Sequence, residues 1–221
     1  MPAPAVRVAA ASAVWCVAHS LLASTPAKRW VERRWGQRAR NAFYRPAYNA
    51  LAVGSFAGLL AYIAKQPTRT LYRAPHPAAA AMRVGQAAAL AVATVGAFRV
   101  GVGRFVGVPG LRAFAAGERD VPIEPEGQNP PMDRPEPRGP FAAVRHPLNA
   151  LIPPLLWLNP TMTTRLAAFA AVATAYSVVG SVHTDRRLAQ RYGTSFERYR
   201  KRVPLLVPGL EGWRHEQVAE R

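Results

Sequence analysis

The sequence predicts an all-α, polytopic membrane helical bundle, with about five membrane helices, a C-terminal helical hairpin and a cytoplasmic amphipathic C-terminal helix. Three observations carry this. Half of the 221 residues are apolar. They gather in uncharged blocks approaching the length of a membrane span, roughly 20 residues. The 29 Lys and Arg, set against 12 Asp and Glu, lie between those blocks. A formal charge of +17 fits either a nucleic-acid surface or the cytoplasmic loops of a membrane protein. A soluble nucleic-acid binder has no use for the apolar blocks, so the chain is expected to be membrane-embedded with no nucleic-acid partner. Ala-rich spans joined by Arg- and Pro-rich loops explain a mean hydropathy of only −0.04. The same composition suggests a bacterial source. A single cysteine, Cys16, excludes an intramolecular disulfide and a cysteine-based metal site, and no metal is expected.

Residues 8–24 form the first block, with His19 as an ionisable group inside it. An intramembrane histidine raises a functional suspicion, although a neutral ring bonded to a neighbouring carbonyl is the plainer reading. The basic run "KRWVERRWGQRAR" at 28–40 follows this block rather than preceding it. That polarity is opposite to a signal peptide's, so an uncleaved span is expected. Short Lys/Arg-rich loops stay cytoplasmic. Residues 25–42 are therefore placed inside and 65–77 outside, with everything from Arg99 to Arg145 inside again. Residues 43–64 form the strongest block and residues 84–98 the shortest, with 78–83 needed to extend it. The glycines of "GVGRFVG" at 101–107 follow no strand, so a phosphate loop is improbable. A glycine-softened interfacial helix is expected there.

The domain organisation reads as N-terminal membrane helices (1–116), a Pro-rich cytoplasmic connector (117–138), a hairpin with a C-terminal helix (139–208) and a polar tail (209–221). Half of the acidic residues fall in the connector, which has too few apolar residues for a core. Residues 148–158 are apolar but too few to cross a membrane, and Pro153 and Pro154 interrupt them. Asn159-Pro160 signals a turn. Residues 166–182 then run back as an uncharged span. Prolines within lipid leave carbonyls that protein or a water-filled cavity must cover, so this hairpin is expected to border a pocket, with "RHP" (145–147) and "HTDRR" (183–187) at its cytoplasmic end.

Beyond the span, Gly193 is expected to close the helix. "TSFE" at 194–197 reads as a capping box, Thr194 being the N-cap and Glu197 reaching back. The helix that follows carries Phe196 and Tyr199 on one side and ends at Pro204. Its basic opposite face suits a membrane surface, and Glu197 and Lys201 stand in an i,i+4 pair. Asp185, beside Arg186 and Arg187, would ordinarily be half of a weak surface ion pair, and Arg145 would meet anionic lipid headgroups.

Taken together the order is specific. "GPF..VRHP" at 139–147, a proline-broken hairpin, and then Asp185, Leu188, Tyr192-Gly193, Phe196, Tyr199, Val203-Pro204 and Pro208 resemble the membrane methyltransferases typified by isoprenylcysteine carboxyl methyltransferase. Upstream, "AHSLLAS" (18–24) and "YRPAYNALA" (44–52) resemble NnrU-like proteins and the bacterial methanethiol S-methyltransferases. The resemblance implies S-adenosylmethionine bound at the cytoplasmic end of the bundle, with Arg145, His146, Pro147, Asn149 and Asp185 at the cofactor-binding positions. Three positions depart from the pattern: Asn149 stands for the family's Tyr, Leu151 for its Gly, and Thr184 for the first of two glutamates. The residue types suit that ligand independently. Arg145 can grip a carboxylate bidentately, His146 can donate or accept, and Asp185 can accept from hydroxyls or an ammonium.

The function expected is that of an S-adenosylmethionine-dependent methyltransferase in the bacterial cytoplasmic (inner) membrane, multi-pass, with a cytoplasmic C-terminus. Its acceptor would be a small or lipophilic thiol, carboxylate or amine. In-line methyl transfer rests mostly on positioning, and no catalytic residue is singled out. The alternative is a non-catalytic NnrU-like membrane protein supporting a respiratory or denitrification pathway.

Overall fold

The structure is a computed structural model and describes residues 3–122 and 139–209. Most of the connector (123–138) and of the tail (210–221) lies outside the described residues. The fold is all-α and polytopic, as the sequence predicts. Among the described residues, four helices are long and apolar enough to cross a membrane: Pro4–Ala23, Thr25–Ala64, His76–Arg99 and Thr164–Tyr192. Their side chains show why they need lipid. Val14 is 69 % exposed, Val53 70 %, Val84 69 % and Phe98 71 %, a solvent-facing apolar surface that water does not tolerate at this extent. The fifth expected helix is a short broken limb rather than a span.

The chain divides into two compact units. The first holds α1 (Pro4–Ala23), α2 (Thr25–Ala64), α4 (Val102–Val106) and α5 (Val108–Ala115). Ser24 separates α1 from α2, and the basic run expected as a loop is helical. Helix α2 runs through it with a break at Gly36, whose φ of 83° and ψ of 160° are open essentially to glycine alone. Helix α4 is the glycine-bounded helix expected at 101–107, lying between Gly101 and Gly107. Helix α5 packs on α2 so closely that a Cβ on Gly110 would come within 2.7 Å of the Asn41 carbonyl oxygen. Ala42, Ala113 and Val121 form the small core there, with Phe114 against it. Asn41 Nδ2 donates to the Val121 carbonyl at 2.8 Å.

The second unit holds β1 (Thr70–Arg73), α3 (His76–Val100), α6 (Pro140–Ala143), α7 (Pro147–Ala150), α8 (Ile152–Trp157), β2 (Thr161–Thr163), α9 (Thr164–Tyr192) and α10 (Thr194–Arg202). The sequence offered no sign of the two strands. They pair antiparallel, Tyr72 opposite Met162 and Arg73 opposite Thr161. This two-stranded ladder ties the loop before α3 to the turn before α9, so both long helices start from it. Helix α3 begins at His76, well before the apolar block read at 84–98.

The broken limb is α7 and α8. Pro147 starts the one and Ile152-Pro153-Pro154 the other, each proline in a first-turn position where its missing N–H costs nothing. The carbonyls such a short helix leaves open are met by neighbours. Gln86 Nε2 donates to Leu155 O at 2.8 Å, and Tyr72 Oη to Trp157 O at 3.3 Å. Of the two coverings expected, it is protein that supplies these partners. Helix α3 approaches closely enough that a Cβ on Gly85 would fall 2.7 Å from the Leu158 side chain.

Candidate functional site

Three backbone features bring the two polar stretches together. Val144 is extended (φ −146°, ψ 149°), because the chain leaves α6 there. Val203 is extended as well (φ −116°, ψ 125°), as the residue before Pro204 must be. The two extended pieces then bond: Arg145 N–H donates to Pro204 O at 2.9 Å and His146 N–H to Leu205 O at 3.3 Å. His146 caps α7 and Pro147 is fully buried at its first position. Asp185 comes from the far end of α9.

The result is a closed ionic triad. Arg145 Nη2 lies 2.8 Å from Asp185 Oδ2, Nε lies 3.1 Å from the same oxygen, and His146 Nε2 lies 2.7 Å from Asp185 Oδ1. Arg145 Nη1 donates to the Arg200 carbonyl at 3.1 Å and also to the Val203 carbonyl. Arg145 is 8 % exposed, His146 2 % and Asp185 7 %. Charge-assisted bonds of this kind are about twice as strong as neutral ones, and burial removes the competing water. Asp185 therefore pairs with Arg145 and not, as its neighbours in sequence suggested, with Arg186 or Arg187. Arg145 is turned inward rather than towards headgroups.

Asn149, one turn into α7, donates through Nδ2 to Ser181 Oγ at 2.9 Å, and Ser181 Oγ donates to Ser177 O at 2.7 Å. Thr184 donates to its own helix at Gly180 O, 2.9 Å away. Leu151 is buried. Each departure from the family pattern thus has a settled place. Sequence reasoning missed Ser181, which carries no signal beyond being a polar residue in an apolar span.

The C-terminal helix closes the triad. Phe196, Tyr199 and Val203 are buried against Leu188, Ala189 and Tyr192 of α9, and Tyr199 Oη donates to Phe141 O at 2.8 Å. Burial pushes the Tyr199 hydroxyl well above its ordinary value, with Asp185 adding to the rise and Arg145 opposing it. It therefore stays a donor. So the "GPF" and "F..Y" motifs touch, as the "RHP" and aspartate motifs do. Two details of the expected helix differ. Gly193, at φ 52°, serves as the C-cap of α9 and the N-cap of α10 together, which leaves Thr194 inside the first turn with no capping bond. Glu197 pairs with Arg200 at 3.1 Å, one turn away.

His19, in the first unit, meets Tyr48. Tyr48 Oη lies 2.7 Å from its Nε2, and its ring stacks on Trp15 at 4.8 Å.

The chain is 39 % identical over 70 residues to methanethiol S-methyltransferase 2 of Bradyrhizobium diazoefficiens, a match covering 32 % of this chain and 27 % of that protein. It is 37 % identical over 68 residues to the methanethiol S-methyltransferase of Crocosphaera subtropica, covering 31 % and 27 %. The Pseudomonas deceptionensis enzyme of the same name is 30 % identical over 70 residues, covering 32 % and 27 %. The chain resembles the methanethiol S-methyltransferases. In each case it spans about a quarter of the length of the relative it matches. No family model matches the chain, and no solved structure does.

Proposed function

We propose that this chain is an integral-membrane methyltransferase that uses S-adenosylmethionine, with a small or lipophilic thiol, carboxylate or amine as acceptor. The meeting of Arg145, His146 and Asp185 in one buried cluster carries the proposal, supported by the similarity to the methanethiol S-methyltransferases. The cluster's donor set fits the cofactor's amino-acid and ribose groups in kind: a guanidinium for a carboxylate, and a carboxylate and an imidazole for an ammonium and hydroxyls. Each of these side chains already bonds another, so taking up the ligand exchanges bonds within the triad. Asp185 and His146 would hold the ammonium or hydroxyl groups, Arg145 the carboxylate, and Pro147 and Asn149 the wall beside them. When bound, the cofactor supplies a methyl on a sulfonium already activated for displacement. The chain's own contribution is to bind, orient and exclude water. The multi-pass chain sits in the bacterial cytoplasmic membrane with the triad and the C-terminus on the cytoplasmic side, where a water-soluble cofactor arrives and basic loops meet anionic headgroups.

The relatives' name makes methanethiol the first acceptor to try. If the cofactor is bound, a new S–CH3 bond would form as its sulfonium C–S bond breaks, the leaving group departing as a neutral thioether and the thiol proton passing to water. Calorimetric titration of the cofactor into detergent-purified protein is expected to show binding that Asn149→Ala weakens and Arg145→Ala or Asp185→Ala abolishes. Absence of binding by the wild type overturns the proposal. The triad's self-sufficiency favours one second reading, a non-catalytic membrane protein of the NnrU kind supporting a respiratory or denitrification pathway. Cofactor binding without methyl transfer to thiol, carboxylate or amine acceptors in a membrane extract would select it.

A further inference from the structure

The segment between Ser24 and Gly36 belongs to the first unit, far from the triad in sequence. Pro26 and the Ser24 cap start a helix there, and Gly36 ends it by taking a conformation that turns the chain before α2 resumes. On this short helix Trp30, Val31 and Trp35 share one side. Arg29 and Arg33 stand one turn apart on the flank next to Trp30, both exposed. A helix that is aromatic on one side and basic on the other belongs at a membrane surface.

Behind those tryptophans lies a cavity of about 550 Å³ between this helix, the end of α1 and the rest of α2, with Leu22, Phe43, Tyr44, Tyr48 and Leu51 among its walls. That is the size of a small-molecule site, but its chemistry is hydrocarbon. Of the four wall residues with polar side-chain atoms, the two tyrosines have committed theirs elsewhere, Tyr44 Oη donating to Leu22 O and Tyr48 Oη bonding His19, which leaves the indole N–H groups of Trp30 and Trp35 in an otherwise hydrocarbon lining. The same short helix also carries charge. Glu32, the acid of the basic run, is paired with Arg40 at 3.0 Å, and the Arg34 guanidinium lies 5.9 Å from the Trp35 ring centre. Arg29, Arg33 and Arg34 are thus exposed cations on the helix that supplies one wall of this apolar hollow.

We propose that this cavity holds one acyl chain of an anionic phospholipid, whose phosphate is met by Arg29, Arg33 and Arg34. The charge on that helix selects the headgroup, and the dry walls select a chain over any polar solute. The lipid then props the surface helix against α2 across the Gly36 break.

The test is native mass spectrometry on the full chain, stripped of lipid by detergent exchange and titrated with phosphatidylglycerol or with phosphatidylcholine of identical chains. Wild type is expected to retain one phosphatidylglycerol, favoured at least about fivefold over phosphatidylcholine. The Arg29→Gln, Arg33→Gln, Arg34→Gln triple variant should lose that preference while keeping a chain. Ala47→Trp, which fills the cavity, should lose the retained lipid altogether. Ala39→Leu narrows it more mildly and serves if the larger side chain prevents a monodisperse product. Equal retention of the two lipids by wild type overturns the proposal. So does undiminished phosphatidylglycerol in both filled variants, which would mark annular lipid only. Displacement of bound lipid by methanethiol or another small apolar acceptor would do the same, by making the cavity an acceptor site.

Discussion

The two units solve opposite problems. In the second unit the buried polar side chains of the site bond one another and the backbone. Arg145 reaches Asp185 and two backbone carbonyls, and Asn149 passes its bond to Ser181. The first unit keeps space and gives up polarity, its cavity lined by rings whose hydroxyls face away. A polar cluster closed on itself resists change and needs exchange to admit a ligand, whereas an apolar cavity tolerates a range of chains. Buried charge is thus a device for geometry, and buried emptiness a device for accommodation.

Three substitutions separate these regions, beginning with the most damaging. Asp185→Ala removes the one acid of the triad and leaves the Arg145 guanidinium buried without a counter-charge. The expected loss is about 3–5 kcal/mol, read as a fall in the unfolding midpoint in detergent. A loss near zero would mean that the triad is solvated and that the contrast between the units is false. Gly36→Ala acts in the other unit, through backbone alone. Nothing lies within 4 Å of the position a Cβ would take, and φ is +83°, so the cost is conformational, about 1–3 kcal/mol. Tryptophan fluorescence of Trp30 and Trp35 should report the rearrangement there, and thermal unfolding the cost. Tyr199→Phe is the mildest, deleting one bond to Phe141 O at a cost of about 1 kcal/mol. It also carries a pH signature. Burial raises this hydroxyl above its ordinary 10.0, so the folded chain holds the proton more tightly than the unfolded one. That stability is fully present below about pH 10 and is lost as the pH rises further. Unfolding midpoints measured from pH 8 to 11 should fall at the alkaline end for wild type and fall less for Tyr199→Phe.

What could be read early and what could not follow the range of the interaction. Spans announce themselves through length and uncharged composition, so the apolar blocks became α1, α2, α3 and α9. The ladder could not be foreseen, because Thr70–Arg73 and Thr161–Thr163 are short, nearly ninety positions apart, and joined only by backbone bonds. The "TSFE" box misled because a capping motif presumes a free start, while Gly193 joins two helices with a single residue. Of the candidate site, the residues were legible and their partners were not. Asp185 has two arginines beside it in the chain and bonds a third, forty positions away.

Sequence by itself determined that this chain must live in lipid and which residues carry charge at the ends of its helices, because insertion and composition depend on local stretches alone. Only the tertiary structure decided that Arg145, His146 and Asp185 complete one another, and that Trp30 and Trp35 stand over a hollow. Both depend on where separate helices come to rest, and a buried charge or an empty volume exists only once its walls are in place.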